Sequence, residues 1–175
     1  MEETVSDLSD IKKFVPRQNL PELLEQLRRE GKKIVFTNGC FDLLHVGHVL
    51  LLRESKELAD VLIVGLNEDE SVRRRKGEGR PVRNLGQRVA YMAEVDEVDY
   101  MTSFDEDDVT NLLLEISPDI YTKGGDYVLD TVDESLKKAI EEKGIDVRFL
   151  SLEEGVSTTN ILKTGDYSAI FKKDE

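Results

Sequence analysis

Two hydrophobic rhythms alternate along the chain. Short apolar runs, Ile34-Val35-Phe36 and Val61-Leu62-Ile63-Val64-Gly65-Leu66, are flanked by polar or glycine-containing turns. Runs of that length read as buried strands. Between them apolar residues recur every three or four positions, as on one face of a helix. Leu20, Leu23, Leu24 and Leu27 form such a stripe, opened by Asn19 and Pro21 and stopped by Gly31. Proline is harmless at a helix start, where its missing N–H would have no partner, and glycine suits the left-handed turn at the end. Strands are predicted at residues 33–37, 61–67, 98–101, 119–122 and 147–150. Helices are predicted over 19–31, from the second histidine to about residue 59, and over 69–75, 85–94, 105–115 and 132–143. A last helix opens at 157–160.

Strands and helices thus alternate about five times. That pattern predicts an α/β fold, a Rossmann-like doubly wound parallel sheet of five strands in a single domain. The domain is expected to span residues 19–164. A flexible N-terminal arm, 1–18, precedes it, with 10–15 packing on the body, and a polar tail, 165–175, follows. In such sheets ligands bind beyond the carboxyl ends of the strands. Four stretches with chemical potential fall there: Thr37-Asn38-Gly39, Asn67, Lys123-Gly124-Gly125-Asp126 and Ser157-Thr158-Thr159. Neither a G-x-x-x-x-G-K-[ST] nor a G-x-G-x-x-G pattern occurs, so neither a P-loop nor a dinucleotide site is indicated.

Charge narrows the partners. The 175 residues carry 24 Lys and Arg against 37 Asp and Glu, a net charge of −13. That balance argues against nucleic-acid or anionic-membrane binding. No apolar run is long enough to span a bilayer. One cysteine and no signal-peptide pattern point to a cytoplasmic protein. Cys40 reads as a small packed side chain or a reactive thiol. Against the acidic background, residues 73–88 hold Arg73, Arg74, Arg75, Lys76, Arg80, Arg83 and Arg88 with Glu78 as their one acid. Such an island suits a small polyanion, or it is a solvated face.

The most distinctive stretch is Thr37-Asn38-Gly39-Cys40-Phe41-Asp42-Leu43-Leu44-His45-Val46-Gly47-His48, at a strand-to-helix switch. It contains both histidines of the protein. Three apart, they share a face if Gly47 lies on the first helical turn. Gly47 adds no side chain there, and the helix start offers unpaired N–H groups and the positive end of its dipole. Two imidazoles, bare backbone and a helix N-terminus suit a phosphate. A zinc site is a poor rival, with one cysteine, no third histidine and no H-E-x-x-H. Lys123-Gly124-Gly125 allows close backbone approach to a base or phosphate, or is a bare turn. Ser157-Thr158-Thr159 caps a helix or binds phosphate oxygens.

The stretch T-N-G-C-F-D-L-L-H-V-G-H resembles the H-x-G-H signature of the nucleotidyltransferase superfamily. With K-G-G-D-Y at 123–127, it resembles most closely the branch that makes ADP-heptose from D-glycero-β-D-manno-heptose 1-phosphate and ATP. The resemblance covers residues 20–163. It implies an adenylyltransferase that uses Mg²⁺ with ATP. It casts His45, His48 and Lys76 as catalytic residues. Nucleotide binding falls to Thr37, Asn38, Gly39, Phe41, Gly47, Arg88, Lys123, Gly124, Gly125, Asp126, Ser157, Thr158 and Thr159. Acceptor binding falls to Asp42, Asn67, Lys76 and Arg80, with Lys76 on the sugar phosphate and Arg88 on the triphosphate. Gly86 stands where the family usually has an acid before Gln-Arg. Relatives imply a homodimer, and a chain of this length implies a separate heptose kinase upstream. Other activities of the superfamily are cytidylyl transfer to glycerol 3-phosphate or another polyol or aminoalcohol phosphate, and FAD synthesis. A rival of a different class is a non-catalytic nucleotide-binding module.

Overall fold

The computed structural model describes residues 7–124 and 132–150. Gly125, Asp126, Ser157, Thr158, Thr159, the predicted last helix and the tail lie outside the described residues. The described chain runs α1 (Leu20–Arg29), β1 (Ile34–Gly39), α2 (Val46–Glu57), β2 (Val61–Asn67), α3 (Asp69–Lys76), α4 (Leu85–Ala93), β3 (Tyr100–Phe104), α5 (Thr110–Ile116), β4 (Ile120–Gly124), α6 (Glu134–Lys143) and β5 (Asp146–Leu150). The strands form one sheet in the order β3-β2-β1-β4-β5, every neighbouring pair parallel. This is the predicted doubly wound arrangement.

Alternation along the strands sorts side chains into two cores. Ile34 and Phe36 of β1 and Ile63 of β2 face α1, α5 and α6, meeting Leu24, Leu112 and Ile140. Val35, Leu62, Val64 and Leu66 face the other way, toward Leu52 of α2 and Val89 and Met92 of α4. Every residue of β2 is buried, as expected of a central strand covered on both faces. Gly65 lets β2 pass close to its neighbours, because a Cβ there would lie 2.9 Å from the Phe36 ring.

The expected packing of residues 10–15 on the body is seen and extends to Leu8, and two other expectations change. Leu8, Ile11 and Phe14 pack into the second core, and Val15 N–H donates to the Met101 carbonyl at 2.8 Å. The reason is the open edge of β3, whose backbone groups and apolar rim the segment covers. β3 begins and ends later than residues 98–101, since Ser103 and Phe104 extend the ladder against Leu66 and Asn67. α5 starts at Thr110. The acids before it are used elsewhere: Glu106 pairs with Arg17, Asp107 with Arg74, and Asp108 accepts the Thr110 N–H.

After β1 the chain turns toward β2 on one side, and it later returns to β4 on the other. The β1–α2 turn therefore lies at the topological switch point, where open α/β sheets bind ligands.

Candidate active site

β1 ends at Gly39, and six residues later His45 caps α2. Phe41 makes the turn with a left-handed backbone, φ 47°. A non-glycine residue holds that conformation only where its surroundings fix it. Here the Phe41 ring is buried in the second core. It lies so close under Gly39 that a Cβ on residue 39 would sit 3.1 Å from it. Its centroid is 5.0 Å from that of His48.

His45 and His48 do share one face. Their rings stack at 3.7 Å between centroids, with 21° between planes. His45 is 4% exposed, and the Nδ1 atoms of both rings are buried without a hydrogen-bond partner. Burial pulls the His45 pKa down to about 4. Burial, then the proximity of His45 and of the Lys76 ammonium, pulls His48 down to about 3, against a hydrogen bond with the Leu43 backbone. Both rings are therefore neutral near pH 7, each with one N–H donor. No side chain caps α2, so its first N–H groups stay available beside the rings. Gly47 is buried within that first turn.

The basic stretch behaves differently from its appearance in the sequence. Arg73 pairs with Glu70, Arg74 with Asp107 and Asp105, Arg80 with Asp42 and Arg88 with Asp69. Among the described residues, Arg75, Lys76 and Arg83 have no carboxylate partner. Lys76 lies near enough to His48 to influence its charge, and Arg75 likewise influences Lys123.

Several expected ligand residues are engaged by the protein itself. Arg88 is 1% exposed. Its guanidinium donates to the carbonyls of Arg83 at 3.0 Å, Cys40 at 2.9 Å and Asn67 at 2.6 Å, and to Asp69 at 2.7 Å. It braces the turn from behind, and its fork is not presented to a triphosphate. Asp42, also 1% exposed, accepts from Arg80 Nε at 2.7 Å, Val82 N at 3.0 Å and Arg83 N at 2.9 Å. Asp42 and Arg80 thus hold one another rather than facing an acceptor. Thr37 is buried in the sheet and donates to the Thr122 carbonyl at 3.0 Å. Asn38 accepts from the Tyr121 hydroxyl at 2.6 Å. Phe41 shapes the turn from the core side. Asn67 lies at the end of β2, its Nδ2 on Ser71 at 2.8 Å and its buried Oδ1 unpartnered.

At the end of β4, Lys123 and Gly124 reach the same sheet edge. Burial, and then the positive charge of Arg75, depresses the Lys123 pKa to about 8, with Cys40 acting in the opposite direction. Asp69 and Tyr121 were not expected at the site. Asp69 sits two residues after Asn67 in an acidic first turn, which is a usable signal. Nothing local marks Tyr121.

Residues 36–164 match the cytidylyltransferase-like family. This chain belongs to that family of nucleotidyltransferases. The bifunctional protein HldE of Syntrophotalea carbinolica is 46% identical over 147 residues, 84% of this chain and 30% of the relative. HldE of Haemophilus influenzae is 44% identical over 144 residues, 82% of this chain and 30% of the relative. The chain thus spans about 30% of the length of these curated relatives. The crystal structure of the lipopolysaccharide core biosynthesis protein from Thermoplasma volcanium superposes with a TM-score of 0.58 at 33% identity, covering 70% of this chain and 98% of that one. Pantoate-β-alanine ligase from Francisella tularensis, at 16% identity and a TM-score of 0.57 over 86% of this chain and 72% of that one, shares the fold. The family match includes the histidine turn, the basic stretch and the end of β4. No helix among the described residues is long and apolar enough to cross a membrane.

Proposed function

We propose that the chain transfers AMP from ATP to D-glycero-β-D-manno-heptose 1-phosphate, giving ADP-heptose and pyrophosphate. The observation that carries nucleotidyl transfer is the stacked, neutral histidine pair at the uncapped start of α2, near Lys76. The acceptor is supported by the T-N-G-C-F-D and K-G-G-D-Y stretches and by the identity to HldE proteins.

In this reading an oxygen of the acceptor phosphate attacks the α-phosphorus of ATP in line. A new P–O bond forms, the bond from the α-phosphorus to the bridging oxygen breaks, and its electron pair leaves with pyrophosphate. No covalent enzyme intermediate is needed. The protein positions two anions and stabilises the charge gathering on the α-phosphate. Imidazole N–H groups and the first N–H groups of α2 donate to that charge. Neutral rings suit the task, because their hydrogen bonds strengthen as the charge grows. Lys76 binds the acceptor phosphate. Among the described residues no three His, Cys, Asp or Glu gather as a metal site. Mg²⁺ would accompany ATP and offset the charge of its phosphates. A kinase acting on the sugar supplies the acceptor.

The test is pyrophosphate release from each of four nucleoside triphosphates with a panel of sugar and polyol phosphates. Turnover with ATP and heptose 1-phosphate is expected. Turnover with CTP and glycerol 3-phosphate alone replaces the acceptor and keeps the chemistry. Nucleotide binding without any release identifies a binding module.

A further inference from the structure

The carboxylate of Asp42 lies between the two halves of the site. It belongs to the histidine turn, three residues before His45, yet all three of its hydrogen bonds go to the loop between α3 and α4. That loop has no regular structure of its own from Gly77 to Asn84. It leaves Lys76 through two glycines with left-handed backbones, Gly77 at φ 93° and Gly79 at φ 79°. A segment of this kind has many conformations unless something fixes it. Asp42 fixes it at Arg80, Val82 and Arg83. Arg88 then takes the Arg83 carbonyl, so the Arg83 backbone is held on both sides, its N–H by Asp42 and its C=O by Arg88. The same guanidinium holds the Cys40 carbonyl, two residues before Asp42. Left-handed Phe41 stands between these two tied residues.

We propose that Asp42 is a positioning residue that sets Lys76 and the loop behind it at a fixed distance from the histidine pair. It acts through the Arg80–Arg83 segment, without touching either substrate. The proposal rests on the reading of Lys76 as the acceptor-phosphate residue. Its consequence is specific. Freeing the loop lets the acceptor site wander while the start of α2, which receives ATP, stays formed. Small displacements of this kind cost up to about a hundredfold in rate.

A double-mutant cycle on the full chain tests it, with KM measured separately for ATP and for the acceptor by pyrophosphate release. Asp42→Asn is expected to raise acceptor KM roughly tenfold and ATP KM less than about threefold. Lys76→Ala raises acceptor KM as well. Because Asp42 acts through Lys76, the double variant should be little worse than Lys76→Ala alone. Effects that multiply, or equal changes in both KM values, overturn the proposal. If Asp42→Asn does not fold, Arg80→Ala replaces it. That variant removes one of the three ties and should raise acceptor KM a few-fold in the wild-type background, with no further rise on top of Lys76→Ala. A multiplying Arg80→Ala effect again overturns the proposal. If Lys76→Ala leaves acceptor KM unchanged, the assignment of Lys76 itself fails, a result distinct from a multiplying cycle.

Discussion

The histidine turn and the basic stretch at 73–88 make opposite uses of charge. The turn buries His45 and half-buries His48, keeps both rings neutral and leaves their Nδ1 atoms unpartnered. The stretch keeps its charges but neutralises four of seven cations against acids: Glu70, Asp42, Asp69, and Asp105 with Asp107. Unsatisfied polar atoms in a buried site cost stability and are retained where a ligand completes them. Paired cations are mostly scaffold. The comparison separates the reactive part of the site from its frame. Arg88 is spent on bracing the turn, whereas Lys76 has no carboxylate partner among the described residues.

The largest expected break is at Arg88. Arg88→Met strands three carbonyls, each costing about 1–3 kcal/mol when left buried and unpaired, and takes the ion-pair partner from Asp69, itself 36% exposed. Chemical denaturation should show that loss. Arg88→Lys should recover little, because an ammonium cannot span the same four acceptors in a fixed fork. A stable Arg88→Met protein with weakened ATP binding would return Arg88 to the triphosphate.

The contrast between Lys76 and Arg74 is smaller. Lys76→Ala should lower kcat/KM for the acceptor by about 1.5–3 kcal/mol, the worth of a charge-assisted hydrogen bond, with melting temperature unchanged. Arg74→Ala, which removes an exposed surface pair, should leave stability and both KM values nearly unchanged. Similar kinetic effects from the two variants would mean that the stretch acts as one diffuse patch.

These contrasts also show where legibility ended. The five strands, the parallel sheet with β2 buried on both faces and the shared face of the histidines follow from local periodicity, and local sequence carries it. The partners of the basic residues do not. Arg80 meets Asp42, and Arg74 meets Asp107, only because the sheet brings distant turns together. Spacing along the chain holds no trace of that. Thr37 was expected among the nucleotide-binding residues; its hydroxyl turns inward to the Thr122 carbonyl. Packing of residues 10–15 was expected, but where they settle was not, and the open edge of β3 explains why Phe14 and Val15 lie there.

Acid should weaken the histidine turn. The His45 and His48 pKa values lie below the ordinary 6.5, at about 4 and about 3. Below 6.5 the unfolded chain takes up protons that the folded rings refuse. Their contribution is complete above pH 6.5 and is lost progressively as pH falls toward 4 and 3. Denaturation midpoints at pH 7.5 and 5 should fall further for the wild type than for His45→Gln/His48→Gln. Equal slopes would mean that the rings are solvated in the folded protein.

The most direct test of the central claim is the turnover number of His48→Ala, measured by pyrophosphate release beside its melting temperature. A preorganised donor to the α-phosphate predicts a loss of roughly 10²–10³-fold in kcat, with ATP affinity changed far less. A normal kcat with a large drop in melting temperature would contradict the account, because it would make the stacked pair a feature of the core and not of the reaction.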